Sequence, residues 1–212
     1  MPPYTIPTSP IPYVRAAGLG FVAGGLMIYV LWFTSNFFQI EFLTPPALLY
    51  CLLLSICFAR RVSHWTLRTL LFAVTGVGAA HFAFAMIVPY VVWTQEDNLP
   101  LVIGLTCAFG AVANGTIGFA AGCIYTRGDE HLRASDKAIR WTAILMGGIG
   151  VLIPLPLILA ATAEDHLPRQ LSQLMTDDPA WFSVVAAFTA LHTAVAAAPL
   201  GLLGGTNIEV SR

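Results

Sequence analysis

The feature that most constrains this chain is where its charges are missing. Six apolar stretches, 16–38, 44–59, 69–93, 99–125, 141–163 and 181–204, contain no Asp, Glu, Lys or Arg. A helix needs about 20 mostly apolar residues to cross a bilayer, and each stretch approaches or exceeds that length. The second, 16 residues long, is preceded by the largely apolar run 39–43. Only 10% of the 212 residues are charged, against roughly 25% in an ordinary soluble domain. The expected fold class is therefore an all-α membrane protein of six transmembrane helices. It divides into a Pro-rich cytoplasmic tail (1–14), a six-helix transmembrane domain (15–205) and a short cytoplasmic C-terminal tail (206–212). Residues 1–14 carry five prolines and no basic side chain, so they read as an extended tail rather than as a cleavable signal.

Orientation follows from the basic residues, which favour the cytoplasmic side. Arg15, Arg60, Arg61, Arg68, Arg127, Arg133, Lys137, Arg140 and Arg212 fall on one side of such a bundle, and Arg169 alone on the other. Both termini are thus expected in the cytoplasm, and the membrane to be a bacterial inner membrane. Trp93 and Trp181 fall at outer helix ends, with Trp32 a little deeper, and Trp65 and Trp141 at inner ends, as interfacial belts require. With 10 basic against 11 acidic residues and no basic run, nucleic acid is not an expected partner. The expected partners are the lipid bilayer and other membrane subunits.

An internal pattern suggests three tandem helical hairpins. Arg68 and Arg140 are each followed, after seven residues, by Gly76-Val77-Gly78 and Gly148-Ile149-Gly150, and Arg15 by Gly18, Gly20, Gly24 and Gly25. Each odd helix leads through an acidic turn into an even helix with proline near its start, at Pro45-Pro46, Pro100 and Pro179, a position where the missing N–H costs little. The other reading is convergence, because glycine permits close helix packing in membranes. On either reading the glycines of the third and fifth helices are expected at helix contacts, with Gly78 beside His81.

Within the spans the informative polar residues are His81, Asn114 and His192, at similar depth in the third, fourth and sixth helices. A polar group in hydrocarbon needs a partner, since leaving it unsatisfied costs several kcal/mol. Both histidines are thus expected to face the protein interior. His81 and His192 are candidate metal or cofactor ligands, with Asn114 beside them. The cofactor would be haem b held by two imidazoles or copper with added thioether or water ligands. The alternative is hydrogen bonding between helices, from His81 to Asn114 or to a Thr hydroxyl. His64, His131 and His166 lie in loops; the last two follow acidic pairs and read as solvated turns. Cys51, Cys57, Cys107 and Cys123 read as packing residues, as do Met27, Met86 and Met146. A rhomboid-like protease would need a serine in the fourth helix, where 113–118 reads Ala-Asn-Gly-Thr-Ile-Gly. No catalytic residues are assigned, and an enzyme is not expected. The absence of intramembrane charge also weighs against an active transporter.

The string Gly76-Val77-Gly78-Ala79-Ala80-His81-Phe82, followed by Pro89 and by Glu96-Asp97-Asn98-Leu99-Pro100-Leu101, resembles one unit of the MHYT family of bacterial membrane sensor domains. Asp177-Asp178-Pro179-Ala180-Trp181 resembles the turn of another. In that family the unit repeats three times, and the layout covers most of this chain. The resemblance implies a six-helix sensor that binds copper through His and Met and responds to a diatomic gas. Of the motif residues only His81 is present: Ala80 replaces the methionine, and the first and fifth helices carry no histidine. The sequence thus supports three readings: a sensory or ligand-binding module using the midplane histidines, a non-catalytic accessory subunit of a larger membrane complex, or a passive channel for a small neutral solute.

The topology is testable by labelling single cysteines in intact cells. Ser172→Cys is expected to react with an impermeant reagent from outside, and Ser135→Cys only after permeabilisation. The reverse pattern would invert the orientation.

Overall fold

The structure, a computed structural model, describes residues 9–37, 44–59, 62–93, 99–127, 134–152 and 179–204. Among them are six α-helices and no strand: α1 (Ile11–Phe37), α2 (Thr44–Ser55), α3 (Trp65–Trp93), α4 (Leu99–Thr126), α5 (Asp136–Gly150) and α6 (Pro179–Ala197). A 3-10 helix, Ala198–Gly204, continues α6. Stretches in α1, α3 and α4 and one running from α6 into the 3-10 helix are long and apolar enough to cross a membrane; α2 is a shorter apolar helix. The second half of the expected span 141–163, the loop 164–178 and the tails 1–8 and 205–212 lie outside the described residues.

α2 and α4 start where the spans 44–59 and 99–125 put them, but the other four helices begin earlier than the charges suggest. Residues 11–14, assigned from sequence to the tail, form the first turn of α1. Pro12 sits where its missing N–H has no intrahelical acceptor to lose, and the Ser9 hydroxyl accepts from the Ile11 N–H at 3.4 Å. Similarly α3 starts at Trp65, α5 at Asp136 and α6 at Pro179. Charges made poor boundaries because a long basic side chain near a helix end carries its head away from the hydrocarbon while its backbone stays helical. For α5 the start is fixed by Ser135, whose side chain accepts from the Ala138 N–H as an N-cap.

Each helix packs on its neighbours in sequence, and α6 closes the ring by packing on α1. Arg15 of α1 donates to the Ile56 carbonyl just beyond α2 at 2.6 Å. Arg68 of α3 donates to the carbonyls of Ile124 and Tyr125 at the end of α4, at 2.9 and 3.2 Å. The Trp65 indole N–H donates to the Ser55 carbonyl, and Gly201 lies against Tyr13. Odd helices therefore start, and even helices end, at one end of the ring. The last carbonyls of a helix lack intrahelical donors and carry partial negative charge; here the arginines of neighbouring helices add donors, at Ile56 beside the Ala59 N–H. At the same end Tyr125 stacks on Phe58 at 4.3 Å and meets Phe72 edge-on.

The two largest seams are α1–α6 and α4–α5, and both are made by glycine. A Cβ on Gly20 would fall 2.5 Å from the Thr193 carbonyl oxygen and 2.6 Å from Ala197 Cβ, and one on Gly24 would strike the Thr193 hydroxyl. On the other seam Gly115 faces Gly147 backbone to backbone, Gly118 faces Met146, and a Cβ on Gly150 would lie 2.6 Å from the Gly110 carbonyl oxygen. The repeat-matched glycines divide. Gly76 abuts Cys51 and Gly150 abuts α4, but Gly78 and Gly148 have open space around them. The expectation that Gly78 lies at a contact beside His81 is corrected by helix periodicity. Gly78 shares an i, i+4 row with Val74 and Phe82, which are 61% and 62% exposed, so that row is the outward face of α3. Gly148 likewise follows the outward residue Ile144.

Gly20→Leu is therefore expected to lower stability by about 1–3 kcal/mol or more, the typical cost of overpacking, and Gly78→Leu to leave it unchanged. Thermal unfolding of the two purified variants measures the difference.

Candidate functional site

At the centre of the ring lies a cavity of about 200 Å³. Its walls come from α1, α2, α3, α4 and α6. Met27, Leu31, Ala47, Thr106 and Phe109 are partly exposed, whereas Ile28, Tyr50, Asn114, Ile117 and Thr193 are buried. The cavity is thus deepest around Asn114 and opens toward the end of the bundle away from Arg15 and Arg68. Helix geometry produces it: the residues facing inward at this level include Ala47, Ala80, Gly110 and Ala113, whose short side chains do not reach the centre of a six-membered ring.

Most polar groups on the wall are paired with protein. The Tyr50 hydroxyl donates to Asn114 Oδ1 at 3.1 Å, and Asn114 Nδ2 donates to the Gly110 carbonyl one turn back at 3.0 Å. The Thr193 hydroxyl lies 2.9 Å from the Gly20 carbonyl of α1 and 2.8 Å from the Thr189 carbonyl of its own helix. Thr189 is different. It is 1% exposed, and its Oγ1 has no hydrogen-bond partner among the described residues.

His81 is half-buried, and both ring nitrogens are engaged. Nδ1 lies 3.0 Å from the Val77 carbonyl, which can only accept, so Nδ1–H donates there. Nε2 then accepts from the Thr44 hydroxyl of α2 at 3.2 Å. Of the partners considered from sequence, a Thr hydroxyl is the one found; Asn114 pairs with Tyr50 instead. His192 donates within its own helix, Nδ1–H to the Phe188 carbonyl at 2.8 Å, with its ring stacked near Phe188. It is half-buried beside Leu191 and Val195, each 55% exposed. The expectation that both histidines face the interior therefore meets different outcomes: His81 is tied to α2, and His192 lies on the outward side of α6.

These positions do not fit a bis-imidazole haem. α3 packs between α2 and α4 and α6 between α1 and α5, so the two histidines sit on opposite sides of the ring, and His81 has no free lone pair. Nor do three of His, Cys, Asp or Glu come together among the described residues. His64 precedes α3 in the left-handed region, φ 51°; His131 and His166 lie outside the described residues. Asn114 alone of the three sequence candidates lines the cavity. Tyr50, Thr44 and Thr189 were missed. Nothing but the i, i+4 pair Thr189 and Thr193 in an otherwise apolar helix signalled the cavity's polar edge. Compared with known proteins, the chain matches no family model, no curated protein and no solved structure.

If the Thr44–His81 bond joins α2 to α3, then Thr44→Val and His81→Phe are each expected to destabilise, and the double variant to lose less than their sum. The coupling expected from intramembrane hydrogen bonds is about 0.6 kcal/mol, read from a double-mutant cycle of unfolding in detergent.

Proposed function

We propose that the chain is a multi-pass protein of a bacterial inner membrane, with both termini cytoplasmic, and that it serves as a non-catalytic sensory or ligand-binding module, divergent from the MHYT domains. The observation that carries this reading is the central cavity. Five helices from the whole length of the chain wall it, so a molecule seated there touches nearly every element of the fold. That is what a module needs if occupancy is to alter helix packing. The ligand is held by the cavity rather than by imidazole, because His81 is already paired on both nitrogens. An apolar lumen also argues against a channel for polar solutes, which would need partners along their path.

One observation favours the second reading, an accessory subunit. Beyond its bond to Phe188, His192 has an Nε2 without a hydrogen-bond partner among the described residues, on a face whose neighbours are exposed. An adjoining membrane subunit would satisfy it.

The two readings separate when the protein is purified from native membranes in mild detergent and its extract analysed by mass spectrometry, absorption spectroscopy and metal content. The ligand-binding reading expects a small organic molecule at near-stoichiometric level and no haem or copper. A stoichiometric partner protein with no small molecule would favour the accessory subunit.

A further inference from the structure

We propose that the cavity takes up an acyl chain of a membrane phospholipid, methyl end first, and leaves the headgroup outside. This rests on the ligand-binding reading and names the class of molecule that the cavity holds.

The wall comes first. Tyr50, Asn114 and Thr193 spend their hydrogen bonds on protein, and the Thr189 oxygen is shut off from the lumen. No Asp, Glu, Lys or Arg lines it. A guest therefore meets hydrocarbon: an unpaired ion there is costly, and a water molecule needs several polar partners that it would not find. Direction comes second. The lumen is closed at Asn114 and Ile117, which are buried, and the packed cluster of Cys51, Leu54, Phe72 and Tyr125 fills the bundle beyond them, toward Arg68. It opens the other way, among Met27, Leu31, Ala47, Thr106 and Phe109. Asn114 stands near the middle of α4, so the lumen runs along the helices from mid-span toward one end. The acyl chains of the leaflet on that side run the same way, from a polar interface to methyl ends at the midplane. Anchorage comes third. An open, apolar lumen has nothing to hold the polar end of a guest, which stays beyond the mouth, as the headgroup of a lipid does. Energetics come last. A chain that leaves the bilayer for the lumen gains nothing from the hydrophobic effect; it gains dispersion contacts with wall atoms that otherwise lack partners on one side. Acyl chains surround the protein in a bilayer in great excess, so modest affinity fills the site by mass action.

The test reconstitutes the full-length protein in phosphatidylcholine nanodiscs doped with a phosphatidylcholine whose acyl chain carries a diazirine, either at its methyl end or beside its ester. Crosslinks formed on irradiation are mapped by peptide mass spectrometry. The methyl-end probe is expected to label the floor, at Asn114 or Ile117, and the ester-end probe the mouth, at Leu31 or Phe109. The methyl-end probe also labels outward residues such as Phe82, which report bulk lipid. Ala113→Phe fills the lumen and is expected to lose the floor crosslinks while those at Phe82 persist; should it fail to fold, Ala47→Leu, which narrows the mouth, makes the same test. A floor left unlabelled while Phe82 is labelled, or floor crosslinks that survive lumen filling, would overturn the site. Equal labelling of the floor by the two probes would overturn the methyl-first orientation. If a molecule without an acyl chain co-purifies at near-stoichiometric level and the floor is unlabelled, the ligand-binding reading stands and this inference falls. An unlabelled floor with no co-purified molecule defeats both.

Discussion

Helices in hydrocarbon gain nothing from the hydrophobic effect by touching each other, because lipid tails are as apolar as leucine. What remains is dispersion at short range, and dispersion needs backbones to approach. In this chain the α1–α6 and α4–α5 seams meet that need through Gly20, Gly24, Gly118, Gly147 and Gly150, where no Cβ fits or none fits without crowding. The α1–α6 seam joins the first helix to the last, so it also closes the ring. A ring closed by such tight seams holds its wall helices at fixed separations, and short inward side chains then leave the centre open. The cavity is thus a consequence of the same small residues that bind the helices together.

Backbone carbonyls are the second resource the fold draws on. Thr75, Thr126, Thr142 and Asn114 each donate to the carbonyl one turn back, which satisfies a polar side chain inside its own helix. Others reach across: Thr193 to Gly20, Trp65 to Ser55, Arg15 to Ile56 and Arg68 to the end of α4. The arginines Arg15 and Arg68 therefore act twice, as part of the charge bias of the chain and as donors at the ends of α2 and α4. A paired surface ion contributes little, as with Arg127 and Asp136, which are both largely exposed. An arginine donating to the carbonyls at a helix end is the more consequential contact.

Helix content, the six helices among the described residues and the alternation of their ends were legible in the sequence, because apolar length and the placement of arginines are local quantities. The starts of α2 and α4 were legible too; those of α1, α3, α5 and α6 were not, since charge marks where a side chain reaches water and not where a helix begins, and Arg68 lies inside α3. The glycines were half legible. Spacing identified Gly76 and Gly78 as a pair, but residues two apart point to different faces of a helix, and only packing decides which one is inward. The histidines were legible as polar groups needing partners. Which partner each would take was not, because Thr44 and His81 are far apart in sequence and come together only when α2 folds back on α3.

The contrast between His81 and Thr189 bears on where chemistry is to be sought in an apolar bundle. Imidazole draws attention from sequence because it is rare in membrane spans and ligates metals. Yet rarity measures cost, and cost is removed as soon as both nitrogens find donors and acceptors in the protein. His81 has done so, with Val77 below it and Thr44 across from it. Threonine draws no attention because its own helix can always satisfy it. A buried threonine that leaves that option unused, as Thr189 does among the described residues, still carries the cost that His81 has shed.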